Sequence, residues 1–411
     1  MLKKLNNSYY LSIGIIITIF LFGSFISLQR GSNLSDGDSY SLLLSFLNFL
    51  DLGTYSPSRG AYGHLIPEMV LGSAAYLFGV PISNLICFIF FFSAIFILFK
   101  TFINQNIERC ALFFLLIASN FYLFFENTNT IDYPLGLFFF SAGLYFIKKE
   151  KFFLSSIFFA ITICSRANFC IFVYPVILIY FLHNKILLKK FRSFLLISSL
   201  TTLMGLIFFI PVFYINSFSL DFLNIPFITN TNTPGWYGGP ALNFTSLFPR
   251  FIFKIYNFIG PFSSFFLIIL FFVNLKILIS LKNVNQKIIW CIIIINLLMY
   301  FFAPTKILLL NPFIIFLYVL FFTHLKKNII YGIIIFNFIP WFISFDLLDI
   351  KYKSNNICEA RVALSANFNF SFKQGEFINY INHPSYSGCY SIYMREYSDN
   401  FLKNKPLSLS K

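Results

Sequence analysis

Residues 11–27 read LSIGIIITIFLFGSFIS. Seventeen successive residues carry no charge, and their only side-chain polar atoms are the hydroxyls of Ser12, Thr18, Ser24 and Ser27. A helix needs roughly 20 predominantly apolar residues to cross the hydrocarbon of a bilayer, so this run predicts a membrane crossing. Ten further apolar runs lie at 82–100, 110–126, 131–147, 152–165, 167–183, 193–215, 256–275, 288–303, 307–323 and 328–345. Of the 411 residues, 58% are hydrophobic and 11% charged, which leaves too little polar surface for a soluble domain. The expected fold is an all-α polytopic membrane protein with about eleven transmembrane helices. Met1-Leu2-Lys3-Lys4 ahead of the first run could pass for a secretory signal, but no small-x-small cleavage site comes after it. A retained first helix is the expectation.

The net charge of +15 is distributed by side. With the N-terminus cytoplasmic, sixteen Lys and Arg fall in the inner loops, among them Lys100, Arg109, Lys148, Lys149 and Lys151. Six fall in the outer loops: Arg30, Arg59, Arg166, Arg250, Lys254 and Lys306. That bias sets the orientation and places the C-terminal tail outside. The basic balance does not imply nucleic acid, because no basic face is interleaved with exposed aromatics. The chain divides into a membrane module over 1–345 and a small extracytoplasmic C-terminal region over 346–411. Three outer segments are long: about 28–81, about 216–255 and the tail. In the first, Ser39 to Leu50 predicts a helix lying on the membrane, with Leu43, Leu44, Leu47 and Leu50 on one face and Ser41, Ser45 and Asn48 on another. Met69 to Phe78 predicts a second such helix. Five cysteines (Cys87, Cys110, Cys164, Cys170 and Cys291) fall in or beside apolar runs and read as packing residues. Cys358 and Cys389 lie in the tail and can pair as a disulfide if it faces an oxidising compartment.

Acidic residues are scarce, which makes each informative. Nine precede the tail, and seven of these fall on the outer side. Ionisable groups beside hydrocarbon are costly and mark a pathway or a site. Asp36-Gly37-Asp38 comes just after the first span; its two carboxylates can converge on a cation, or one can act as a base while the other orients it. The plainer reading is a solvated loop with Asp38 capping a helix. Arg59 can grip a phosphate through two parallel hydrogen bonds, or pair with a loop carboxylate. Ile66-Pro67-Glu68 lies a few residues further on. Asp132-Tyr133-Pro134 is either a second acidic site or an ordinary helix start. Arg166, in a tight hairpin between apolar runs, must find water, a lipid phosphate or a carboxylate. Lys306 precedes a leucine-rich helix, where a lysine can also snorkel to the headgroups. Trp236-Tyr237, in the loop Thr233 to Gly239, can stack on a sugar or form a turn. Carboxylates and cations sharing one outer surface suit a reaction that joins a hydroxyl to a carbon carrying a phosphate leaving group.

In this order the motifs resemble the GT-C superfamily of membrane glycosyltransferases, in the branch of the protein O-mannosyltransferases and the lipid A aminoarabinose transferase. The resemblance covers about Leu11 to Phe322. Asp36-Gly37-Asp38-Ser39-Tyr40 is similar to the first-loop acidic motif. Tyr55 to Arg59, Pro67-Glu68 and Leu77-Phe78-Gly79 resemble the family's next stretch, and Asp132-Tyr133-Pro134 the second acidic site. Ser165-Arg166 falls where the family often has an arginine. Lys306 to Pro312 is similar to a K-x-x-Y-L-L-P stretch, from which Leu309 and Asn311 depart. The resemblance implies juxtamembrane helices over a cavity open to the outer leaflet, and an inverting transfer of sugar from a polyprenyl-phosphate donor to a glycan, lipid or protein acceptor. It implies Asp36 as base and Asp38 as its orienting partner, with Asp132 placing the acceptor. Arg59, Arg166 and Lys306 would hold the departing phosphate, and Glu68, Trp236 and Tyr237 would line the acceptor cleft. A divalent cation, Mg²⁺ or Mn²⁺, on Asp36, Asp38 and Asp132 would suit such carboxylates. The setting implied is a bacterial inner (plasma) membrane. The rival readings are a transporter or flippase for a lipid-linked glycan, an O-antigen polymerase or ligase, and a noncatalytic assembly protein.

Overall fold

The computed structural model describes residues 7–29, 42, 45–46, 49–50, 65–183, 191–215, 217–218, 251–252, 255, 259–281, 283–302 and 307–342. Among them there is no strand. The helices, in chain order, are α1 (Asn7–Gln29), α2 (Leu65–Phe78), α3 (Val80–Leu98), α4 (Ile107–Ser119), α5 (Phe121–Glu126), α6 (Asp132–Lys148), α7 (Phe152–Ser165) and α8 (Cys170–His183). They continue as α9 (Phe191–Phe208), α10 (Ile210–Ile215), α11 (Pro261–Val273), α12 (Leu275–Leu278), α13 (Val284–Phe302), α14 (Asn311–His324) and α15 (Lys327–Phe342). Four stretches, α1, α3 with its π-helical end, α9 and α13, are long and apolar enough to cross a membrane. In their described residues the eleven apolar runs fall on helices or broken helices. The chain is an all-α protein whose helices suit a membrane.

The helices pack side by side, α1 on α3 and α4, α3 on α6, α6 on α7, α7 on α9, α8 on α13 and α13 on α14. The centre is α14, in which every residue from Asn311 to Phe322 is buried. A helix buried all round has no polar face to show, and this one has none over that length. The outer helices turn their apolar faces outward instead, as Leu21 and Phe25 of α1 and Leu203 and Leu206 of α9 do. Aromatic rings fill much of the interior; Phe92 and Phe114 stack with centroids 4.4 Å apart across α3 and α4. The α6–α7 hairpin is closed by Gly143, where any side chain would collide with the Phe159 ring, and Ser155 Oγ donates to Gly143 O at 3.0 Å. Glu150 makes the turn with φ 57°, and Lys151 N returns to Phe146 O at 3.0 Å.

At one end of the bundle Ser8 Oγ donates to Glu108 Oε1 at 2.5 Å. Lys148 Nζ donates to Thr101 O there. Arg109 lies over the Phe322 ring, and Gln286 meets His324 at 2.9 Å. The starts of α3, α6 and α14 and the ends of α1 and α7 form the opposite end.

One expectation from sequence changes. The run 110–126 is not one helix. It breaks at Asn120, whose backbone leaves the helix (φ −78°, ψ 107°) and whose side chain accepts from Leu123 N at 2.9 Å to start α5. Non-helical backbone at such depth is tolerated only where protein encloses it. Here Tyr318 OH accepts from Asn120 Nδ2 at 3.1 Å and from Asn337 Nδ2 at 2.9 Å, while Trp341 Nε1 donates to Ser119 O at 2.9 Å. The flat helix of the first loop is described in part. Residues 42, 45–46 and 49–50 are helical; Ser45 is buried with Leu42, and Leu50, on the leucine face, is left uncovered by the protein. The Ser45 side is covered by α2 at Gly72. A Cβ there would lie 2.6 Å from Phe46 Cβ and 2.8 Å from Leu42 O, so the two segments touch backbone to backbone on the Ser45 side. Leu43, Leu44, Leu47, Ser41 and Asn48 lie outside the described residues. The second helix of the loop is α2, which starts four residues before Met69.

Tyr318→Phe removes the acceptor shared by two buried amides. It is expected to lower stability by about 1–3 kcal/mol, measured as a fall in the melting temperature of the detergent-solubilised chain. An unchanged melting point would mean that the break at Asn120 is held by other contacts.

Candidate functional site

The end opposite the basic one is built from a polar turn. Asn127-Thr128-Asn129-Thr130 joins α5 to α6, and all four of these polar residues are buried. Their hydrogen bonds explain this. Asn84 Oδ1, on α3, accepts from Thr130 N at 2.7 Å and Thr130 Oγ1 at 2.8 Å, and Asn84 Nδ2 donates to Ser27 O of α1 at 3.3 Å. Thr128 Oγ1 donates to Phe125 O at 2.7 Å and Asn127 Nδ2 to Leu123 O at 2.6 Å. From the other side Asn311 Nδ2, at the start of α14, donates to Asn127 Oδ1 at 3.2 Å. Asn296 of α13 fixes that start in turn, donating to Leu309 O at 2.9 Å and accepting from Phe313 N at 3.1 Å. A buried polar group costs free energy unless paired, so this set defines the turn's conformation as firmly as a core does.

Asp132 comes after the turn as the first residue of α6. It does not cap the helix; the N-cap is Ile131, which makes no side-chain cap bond. The Asp132 carboxylate, fully buried, instead accepts from Arg166 Nη1 in an ion pair. Arg166 ends α7 in extended backbone (φ −159°), and its N–H still reaches Thr162 O at 2.9 Å. Its Nη2 donates to Tyr133 OH at 2.5 Å while the guanidinium stacks 3.6 Å from the centroid of that ring. A planar cation over an aromatic face gains from the ring quadrupole as well as from the carboxylate. Of the three partners open to Arg166 from sequence, the structure selects the carboxylate.

Asp132 and Arg166, 34 residues apart, are therefore brought together, with Tyr133 as a third member that the sequence reading passed over. Glu68 is buried in the first turn of α2. One turn on, Leu71 joins Leu42, Cys87 and Leu135 in a small apolar cluster, which sets α2 against the start of α6. Asp36, Asp38, Arg59, Trp236, Tyr237, Lys306, Cys358 and Cys389 lie outside the described residues. Asn311 had stood out only as a departure from the family pattern; it is the residue through which the segment after Lys306 meets the polar turn. The missed residues carried a signal nonetheless. Four successive amide and hydroxyl residues form a short link between two apolar runs, where a solvent loop would need no such uniformity.

Asp132 is poorly suited to a divalent cation, because the arginine already supplies its counter-charge and would repel a second cation on the same carboxylate. Among the described residues no three His, Cys, Asp or Glu side chains gather as a metal-binding group. Four side chains of this region hold buried polar atoms with no hydrogen-bond partner: Asn129 (both amide atoms), Asn311 Oδ1, Ser165 Oγ and Arg166 Nε.

No family model matches the chain, and no curated protein or solved structure matches it either.

Arg166→Leu strands the Asp132 carboxylate and is expected to cost about 3–5 kcal/mol, whereas Asp132→Leu combined with Arg166→Leu should recover most of that loss. Unfolding of these two variants and of Asp132→Leu alone in detergent checks the coupling; additive effects would mean that the pair does not act as a unit.

Proposed function

We propose that the chain crosses the membrane about eleven times with its N-terminus cytoplasmic, and that it is an inverting glycosyltransferase of GT-C type, using a polyprenyl-phosphate sugar on the extracytoplasmic face. The observation that carries this reading is the convergence of Asp132, Tyr133 and Arg166 at the end of the bundle opposite the basic loops. A carboxylate and a guanidinium fixed there fit a surface where a hydroxyl is oriented and a phosphate departs. Broken helices such as α4–α5 also occur in transporters, and that break favours the flippase as the second reading.

In the proposed reaction an acceptor hydroxyl oxygen attacks the anomeric carbon, and the bond from that carbon to the phosphate oxygen breaks. The hydroxyl proton passes to Asp36, and the polyprenyl phosphate leaves with the electron pair. Arg166 is engaged first with Asp132, so its part is to hold that carboxylate in one orientation toward the acceptor. The charge developing on the phosphate then falls mainly to Arg59 and Lys306.

The test is transfer from a panel of polyprenyl-phosphate sugars by the purified full chain. Asp36→Asn should lose transfer, by roughly 100-fold or more if a general base is removed, while keeping donor binding. Translocation of donor across liposomes without a covalent product would replace this reading with the flippase.

The orientation has its own test. In a cysteine-free background, Ser217→Cys should react with an impermeant maleimide in intact cells, and Glu150→Cys only after permeabilisation. Labelling of both from one side would break the proposed topology.

A further inference from the structure

Helix α5 has only six residues, and a polar side chain at each end ties it to the central helix. Its N-cap is Asn120 and its C-cap Asn127, seven residues apart. On α14, Asn311 and Tyr318 are also seven apart, which is two turns along one face, about 10 Å. The two pairs meet in reverse order. Asn120 Nδ2 donates to Tyr318 OH at 3.1 Å, and Asn311 Nδ2 donates to Asn127 Oδ1 at 3.2 Å. The short helix is therefore stapled antiparallel along one face of α14, and the spacing of the staples matches on both sides.

The segment between the staples is one body. Leu123 O accepts from Asn127 Nδ2 at 2.6 Å, Phe125 O accepts from Thr128 Oγ1 at 2.7 Å, and the Phe121 and Phe125 rings stack at 5.1 Å. On each side of this body the chain is anchored to a different helix. Trp341 of α15 donates to Ser119 O at 2.9 Å just before the break. After the turn, Asn84 of α3 accepts from Thr130, and Cys87 of α3 lies 3.4 Å from both Ile131 N and Ile131 O. Between body and anchors stand Asn120, in extended backbone, and Asn129, both of whose amide atoms are unbonded. These are the two points at which the chain can turn.

What holds the body down is polar. Phe121, Leu123, Phe124 and Phe125 are buried, but lipid tails are as apolar as a protein interior, so burial alone gives α5 little preference for α14. The directional staples decide, and neither is complete. Asn311 Oδ1 at one end has no partner, nor has Asn337 Oδ1, whose amide nitrogen shares Tyr318 OH at the other. A buried network that is partly satisfied holds less firmly than a full one, and lids come from the low-stability end of a structure. Something also needs uncovering. Asp132 is fully buried and Arg166 is 6% exposed, so a ligand reaches the pair only when part of its enclosure moves. Asn129 lies three residues before Asp132.

We propose that Phe121 to Thr128 is a strap that swings off α14 about Asn120 and Asn129, releasing both staples together, and that this motion opens the outer end of the bundle to its ligand. The nature of that ligand rests on the glycosyltransferase reading; the motion does not.

Hydrogen exchange of the detergent-solubilised full chain tests whether the strap moves as a unit. Asn311→Ala cuts one staple and should speed exchange of the Leu123 and Phe124 amides, at the far end, by about tenfold. Tyr318→Phe cuts the other and should speed the Thr128 amide alike, while amides of 135–147 in α6 keep their rates. Asn127→Ala reads the same coupling if Tyr318→Phe does not fold. A response confined to the cut end, or equal acceleration in α6, overturns the strap. Thiol labelling tests the opening. In a cysteine-free background, Ser165→Cys, buried beside Arg166, should react with a small water-soluble thiol reagent about tenfold faster once Asn311→Ala is added. Ser155→Cys, buried further back in α7, should keep its rate. Unchanged labelling at residue 165, or equal gains at both positions, overturns the opening. Neither measurement uses a sugar donor, so a failure of transfer from every polyprenyl-phosphate sugar would fall on the enzyme reading alone.

Discussion

A polar atom inside hydrocarbon has nowhere to go except another part of the protein, and that constraint organises this chain. In a soluble protein Asn84 or Thr130 would sit in water. Here each is buried, and the bonds between them tie the end of α1 and the start of α3 to the turn before α6. The same constraint explains the break at Asn120, which persists because Tyr318 and Asn337 on two other helices meet it. Packing of apolar side chains fills the bundle, but it is nearly indifferent to rotation of one greasy helix against another. The amide and hydroxyl contacts are directional, and they fix the register in which α3, α4–α5, α14 and α15 stand.

The fold was legible in the sequence because hydrophobicity is a local property. In its described residues every apolar run falls on a helix or a broken helix, since a run without polar side chains satisfies its backbone only by coiling. What was not legible is where a run bends and which polar side chains are enclosed. Asn120 sits inside an apolar run, and nothing in its immediate neighbours says that Tyr318, 198 residues away, will hold a break there. The covered face of the first-loop helix has the same origin. Alternation of Leu and Ser sets out two faces, but Gly72 on another helix decides which one is covered.

The candidate site was legible in part for a related reason. Asp132 and Arg166 stood out because ionisable residues beside hydrocarbon are scarce, and scarcity is visible in a sequence. Their pairing was one of three partners open to the arginine, and only the antiparallel run of α6 and α7, which returns the end of one to the start of the other, selects it. Tyr133 was hidden by its company, one aromatic among many, and its role depends on the angle at which the guanidinium arrives. The Asn127–Thr130 turn drew no reading from the sequence, because a four-residue polar link does not say what encloses it.

An enclosed ion pair is a poor device for stability alone. Removing one partner is costly, but a pair of well-packed apolar residues of similar volume usually does as well as the charges did. In the surroundings of Asp132 and Arg166 apolar residues are abundant, so the charged pair is not forced on the chain by lack of material. What an apolar substitute would not supply is a carboxylate held in one orientation, or a cationic group with one N–H still unbonded, at the end of the bundle where the polar turn is also assembled. The arrangement fits a surface that must stay rigid and dry until a polar ligand completes its hydrogen bonds. That property accounts for a charged pair at a place where apolar residues would pack as well.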